Sequence, residues 1–279
     1  MNTLLFKHPG RVLYEGLEVP VTQVQKSIRK HRLGTVPGLS VPFGPDHNQK
    51  IVVFEPEVLR HSTTILYFHG GGYLVGTPES MDIGAAFFTE RGYRFISIGY
   101  RLLPRYAFPA QVEDAYAGYE TALNYLRSAS PNPKVFAAPP LVAGGNSAGG
   151  QLAAILGYNR LGPTAPLQGV ISLAGVMNQE DMLPHAGHRW SPLHIVETQG
   201  LSTNPPRFLA IHGTHDILSP FSSEARFVSL LNHTADRPIA DHVPLEDWKA
   251  QHIYLTAGVF TRENQVIDWM LQWLEENFD

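Results

Sequence analysis

The pentapeptide Gly145-Asn146-Ser147-Ala148-Gly149 is the feature that most restricts what this chain can fold into. A short apolar run, Pro140-Leu141-Val142-Ala143, leads into it, and Gly149-Gly150 opens an amphipathic stretch from Gln151 to Tyr158. The pattern predicts a strand, a tight turn and a helix. Glycine is required where such a turn brings backbone against backbone, because it has no Cβ to clash. A serine at its centre points its hydroxyl off the end of a sheet, the context of a nucleophile elbow. The pentapeptide alone reads equally well as a glycine-rich turn. Three further signals shift that balance.

The first is His69-Gly70-Gly71-Gly72-Tyr73, which follows the strand-like run Thr64-Ile65-Leu66-Tyr67-Phe68. Three glycines in a row expose bare backbone N–H groups, the donors that acyl transfer needs for its developing oxyanion. A phosphate loop is excluded by the lack of a following Lys-Ser or Lys-Thr, and the dinucleotide glycine spacing is also missing. The second signal is Asp216 in Gly213-Thr214-His215-Asp216, just past the apolar run Phe208–His212. Catalytic acids of open α/β sheets sit at this end of a strand, although a lone Asp in a glycine-rich loop also reads as a solvated turn residue. The third is a downstream histidine, as the chain order Ser, Asp, His requires. His215, His233, His242 and His252 are the candidates. His215 diverges from its neighbour Asp216 in an extended segment, and His233 ends a helix-like stretch. His252, on a loop before a terminal amphipathic helix, is favoured, with His242 second.

Together, HGGGY at 69–73, GNSAG at 145–149 and Tyr100-Arg101-Leu102-Leu103-Pro104 resemble the hormone-sensitive-lipase-like esterase branch of the α/β-hydrolase superfamily. Phe108-Pro109-Ala110-Gln111-Val112-Glu113-Asp114-Ala115 and Pro205-Pro206 add to the resemblance, which covers about residues 50 to 279. It implies Ser147 as nucleophile, Asp216 as orienting acid and His252 as base, with oxyanion donors from Gly71, Gly72 and the N–H of Ala148. His69, Gly70 and Asp114 match positions that hold the oxyanion loop. The chain departs from the pattern in reading GTHD at the acid, in lacking a glycine after His252, and in having a short lid region.

Strand-like runs alternate with helical ones. Strands are expected at Gln49–Phe54, Thr64–Phe68, Arg94–Ile98 and Gln168–Leu173, besides the runs before Ser147 and Asp216. Helices are expected at Gly84–Arg91, Val112–Arg127, Ser223–Leu231 and about Arg262–Asn277. This alternation predicts one domain over 1–279 with a mostly parallel, doubly wound sheet flanked by helices, and the resemblance implies that it is the α/β-hydrolase fold. Residues 1–45, rich in Pro, Gly and basic residues, are expected as an N-terminal arm contributing to a cap. Residues 176–204 break the alternation and are expected as a short lid, carrying Met177, Met182, Leu183, Trp190, Leu193 and Ile195; an ordinary core-facing segment is the other reading. Tyr73 and Leu74 are expected to border the substrate pocket, with core packing the alternative for Leu74 and Val75. His185 and His188 on the lid read as solvated.

The chain of 279 residues is 43% hydrophobic and only 16% charged, as expected of a sheet buried on both faces. Its net charge of -4 gives no basic footprint for nucleic acid. No run has the length of a membrane span, and no signal-peptide pattern opens the chain, so a cytoplasmic location is expected. With no cysteine, thiolate metal sites and a Cys nucleophile are excluded. Asn232-His233-Thr234 matches a glycosylation triplet by chance.

These features predict a serine hydrolase of small to medium carboxylic esters, working through an acyl-enzyme with no cofactor and no metal. An amide, formamide or lactone hydrolase with the same triad is the nearest alternative. A metal-dependent hydrolase built on His212, His215 and Asp216 leaves the serine motif unexplained, and a non-catalytic binding protein leaves the intact triad unexplained. The partner expected is a small ester or amide, with a homodimer as one oligomeric arrangement.

Overall fold

Alternate residues of each central strand go to opposite sides of one sheet, and both sides are covered. The computed structural model describes residues 11–14, 17–20, 37–131, 133–160, 166–183, 187–246, 252 and 265–278. Eight of its strands form the main sheet: β3 (Leu39–Pro42), β4 (Lys50–Phe54), β5 (Thr64–Phe68), β6 (Arg94–Ile98), β7 (Leu141–Asn146), β8 (Gly169–Leu173), β9 (Arg207–Gly213) and β10 (Ala240–Leu245). Their order is β10-β9-β8-β7-β5-β6-β4-β3. The pairs from β10 to β6 are parallel, and β4 is antiparallel to both β6 and β3. Two short strands, β1 (Arg11–Tyr14) and β2 (Leu17–Pro20), pair separately.

The expected mostly parallel sheet flanked by helices is therefore what the chain forms. On one side lie α2 (Ala110–Ser128), α3 (Ala148–Tyr158) and α6 (Phe221–Thr234), packing Val112, Tyr119, Leu152 and Phe227 against Leu66, Phe68 and Phe208. On the other lie α1 (Asp82–Glu90) and α7 (Gln265–Phe278), packing Phe88, Val266 and Leu274 against Ile65, Tyr67 and Ile171. Strands β5, β7 and β8 are buried along their whole length, which is why they read as continuous apolar runs.

Two strands of the main sheet were not expected from the sequence. Leu39–Pro42 lies within the stretch 1–45 expected as an arm, yet it is an edge strand of the main sheet. Ala240–Leu245 forms the opposite edge, and its Pro244 is tolerated because an edge strand has no outer neighbour to bond. In the expected lid, α4 (Gln179–Met182) and α5 (Pro192–Gln199) form, and Met177, Leu193, Ile195 and Val196 are buried with the core. Among the described residues, no helix is long and apolar enough to cross a membrane.

Candidate active site

Ser147 sits between the end of β7 and the start of α3 with φ 55° and ψ -120°. A non-glycine residue rarely adopts positive φ, and such strain concentrates at functional sites. The surroundings enforce it. A Cβ on Gly149 would lie 2.1 Å from the carbonyl oxygen of Phe68, and one on Gly145 would lie 2.3 Å from the backbone of Gly149. The expected strand to Ala143 runs on to Asn146, directly into the turn.

Three distant segments meet there. His252 Nε2 is 2.8 Å from Ser147 Oγ, and His252 Nδ1 is 2.6 Å from Asp216 Oδ2. All three side chains are buried. Asp216 follows β9, and its other oxygen, Oδ1, accepts the backbone N–H groups of Leu218 (2.8 Å) and Ser219 (2.9 Å). Burial by itself would raise the Asp216 carboxyl. The charge of His252 and hydrogen bonds from His212 and His252 outweigh it and hold the group well below the usual carboxylate range. The arrangement can pass a proton from a serine hydroxyl to an imidazole whose tautomer is fixed by a carboxylate.

The glycine loop after β5 lies beside the elbow. Asn146 Oδ1 accepts the N–H of Gly70 at 3.0 Å. Gly71 and Gly72 have φ of 118° and 61°, and a Cβ on Gly71 would lie 2.1 Å from the carbonyl oxygen of Val75. Among the described residues, the N–H groups of Gly71, Gly72 and Ala148 donate to no protein acceptor.

A family model described as the alpha/beta hydrolase fold matches residues 65–201. The chain is 32% identical over 123 residues to carboxylic ester hydrolase LipN of Mycobacterium tuberculosis, covering 43% of this chain and 31% of that protein. It is 34% identical over 122 residues to ethyl acetate hydrolase of Pseudomonas putida, covering 42% of this chain and 37% of that protein. The matches thus span about a third of the length of those curated relatives. Among solved structures, esterase B from Lactobacillus rhamnosis superposes with a TM-score of 0.72 at 17% identity, over 92% of this chain and 90% of that one. Apo esterase 2 of Thermogutta terrifontis superposes with a TM-score of 0.66 at 22% identity, over 88% and 96%.

The chain has the α/β-hydrolase fold. Within this fold the other residues singled out from sequence take varied places. His69 is buried, stacks on Tyr100 at 4.3 Å and donates from Nδ1 to Gly70 O at 2.7 Å. Burial pushes its imidazole down to about 4, so it is neutral at pH 7. Tyr100 donates its hydroxyl to His69 O at 2.6 Å. Asp114 is buried and accepts from the Arg101 backbone (2.7 Å), the Arg101 guanidinium (2.8 Å) and Gln49 (2.8 Å), fixing the turn that follows Tyr100. Tyr73 is fully buried at φ 63°, with its hydroxyl 3.0 Å from Ala148 O and 2.9 Å from Gln151 Oε1. Its side chain therefore braces the first turn of α3, while Leu74 is exposed.

The other candidate histidines lie elsewhere. His215 and His233 are exposed. His242 is in β10, opposite Ala210 of β9, and stacks on Phe221 at 4.9 Å. His188 is exposed near Glu180 at 3.5 Å, and His185 lies outside the described residues. Sequence reasoning missed Asn146 as the tie to the glycine loop. It also missed Glu224 and the role of His212, which lies between Asp216 and Glu224 and is fully buried.

Proposed function

We propose that this protein is a serine esterase that hydrolyses small to medium carboxylic esters through Ser147, His252 and Asp216. The observation that carries the reading is the unbroken line from Ser147 Oγ to His252 to Asp216, at 2.8 and 2.6 Å. The esterase names of the relatives support the choice of bond.

In this reading His252 takes the Ser147 proton as the oxygen attacks the ester carbonyl. The tetrahedral oxyanion accepts from the N–H groups of Gly71, Gly72 and Ala148, a type of stabilisation worth about 10²–10³ in rate per donor. His252 then returns the proton to the leaving alcohol, and the acyl group stays on Ser147. Water, deprotonated by the same imidazole, attacks the acyl-enzyme and regenerates the serine. Asp216 holds the ring and stabilises the imidazolium. His69, Gly70 and Asp114 hold the oxyanion loop in place. Residues 176–204 act as a short lid over the pocket, the substrate is a small molecule, and the protein works in the cytoplasm without a cofactor.

The test compares initial rates on p-nitrophenyl acetate and an N-formyl anilide for the wild type and Ser147→Ala. The expected result is ester turnover lowered by about 10⁶ in kcat in the variant. Preferential cleavage of the anilide would move the reading to amide or formamide hydrolysis by the same residues. A variant with a tenth of wild-type activity would end it.

A further inference from the structure

The acid of the candidate triad is backed by a second, fully buried histidine and a second carboxylate. His212, inside β9, places Nε2 3.1 Å from Asp216 Oδ2 and 2.9 Å from Ser219 O. A carbonyl only accepts, so Nε2 carries a proton and donates. On the other edge of the ring, Nδ1 lies 2.6 Å from Glu224 Oε2. The remaining oxygen of Glu224, Oε1, accepts from Ser172 Oγ of β8. His212 and Glu224 are both 0% exposed. A carboxylate this deep in the molecule is costly unless a cation pairs with it.

We propose that His212 and Glu224 are positioning residues: a buried imidazolium–carboxylate pair that sets the orientation and basicity of Asp216, and through it the pH range in which His252 acts as base. The inference rests on the triad reading above.

The geometry gives both parts of the effect. Asp216 Oδ2 takes two ring donors, His252 Nδ1 at 2.6 Å and His212 Nε2 at 3.1 Å, while Oδ1 takes two backbone N–H groups. With four donors the carboxylate has no freedom to rotate. A positive charge on the far side of Asp216 also weakens its pull on a proton at His252. Glu224, one ring further away, keeps the cation in place. Burial alone would lower the His212 imidazole, but Glu224 and Asp216 outweigh it and push it up to about 10. The other groups packed here carry no countercharge. Phe221 of α6 lies edge-on to His212 at 5.7 Å. His242 of β10 stacks on Phe221, and its imidazole is lowered by burial. Ser172 and Ser219 are neutral.

The pair was hidden in sequence because each member has an ordinary local reading. A histidine in the strand Arg207–Gly213 reads as core, and a glutamate in the first turn of a helix reads as a favourable charge for the dipole. Only the packing of α6 against β9 brings them together.

The test is the pH dependence of kcat/KM for p-nitrophenyl acetate hydrolysis by wild type, His212→Gln, the double variant His212→Gln/Glu224→Gln, and Ser147→Ala. Glutamine keeps an N–H donor for Asp216 without the charge. His212→Gln alone leaves Glu224 buried and unpaired, so a lower denaturation midpoint is expected. The double variant removes one charge of each sign and recovers most of that loss. In the double variant the acidic limb of the profile moves up by about one pH unit, because a nearby positive charge no longer opposes protonation of His252. A double variant that folds and keeps the wild-type limb overturns the proposal and leaves the pair as packing. Loss of the wild-type reaction in Ser147→Ala, alongside an unmoved limb, would overturn the pair's role while sparing the triad. Activity surviving in Ser147→Ala would overturn the triad reading itself.

Discussion

The side chain of Asn146 crosses from the serine turn to accept the backbone N–H of Gly70 at 3.0 Å. The residue beside Ser147 thus sets the distance to the loop proposed to hold the oxyanion. Asn146→Ala cuts this tie and leaves a part-buried donor unpaired. The expected result is a loss of about 10–100-fold in kcat, because small misplacements of reacting groups are that costly. KM should change little. Steady-state kinetics on p-nitrophenyl acetate check this, and a change confined to KM would contradict it.

His252 and His242 were both open as the base from sequence, and the fold separates them. His252→Ala should lower kcat to about the level of Ser147→Ala, and combining the two should cost little more, since triad members act as a unit. His242→Ala should stay within about threefold of wild type, because its ring packs on Phe221 within the sheet edge. Single and double variants measured under one set of conditions decide the matter.

Gly149 leaves no room for a side chain. A Cβ there would lie 2.1 Å from Phe68 O and 2.6 Å from His69 O, both backbone atoms. Gly149→Ala should therefore destabilise the protein by about 1–3 kcal/mol or more through overpacking. It should also abolish turnover by displacing Ser147. Urea denaturation reads the first effect and burst kinetics the second. A normal midpoint would show that the turn relaxes freely.

His69 gives a pH dependence of definite sign. Its imidazole sits at about 4 when folded and at about 6.5 when unfolded. The stability it contributes is complete above pH 6.5 and is lost as the pH falls towards 4, because the unfolded chain binds a proton that the folded one refuses. The full swing is about 3 kcal/mol. His69→Gln should flatten the difference between pH 7 and 4.5 in denaturant titrations. An unchanged pH slope would mean that His69 protonates in the folded state.

Much of this was legible in the chain itself, for identifiable reasons. Thr64–Phe68 and Arg94–Ile98 form strands at their expected residues because they are apolar, β-rich and bounded by turn residues. Helix Val112–Arg127 was underestimated by two residues at its start and one at its end, where it runs from Ala110 to Ser128. The edge strands Leu39–Pro42 and Ala240–Leu245 escaped because edges are half exposed and tolerate proline, which erases alternation. Ser147 and Asp216 were visible because glycines at strand ends mark sharp turns. Asn146 was not, since partners far apart in sequence leave no periodicity, and His212 and Glu224 were not because each has an ordinary local reading. Glu224 lies 52 residues from Ser172, and Asn146 lies 76 from Gly70.

The same separation governs when the molecule becomes competent. His252 meets Ser147 across 105 residues and Asp216 across 36. Neither contact forms locally, so a chain with well-made helices and strands but unsettled sheet order carries all the chemical groups and none of the chemistry. Turnover in refolding is therefore a reporter of tertiary closure. It should lag behind far-ultraviolet circular dichroism and keep pace with the burial of Trp273, and a cut in the chain between Asp216 and His252 should silence it even where the pieces remain associated but loosened.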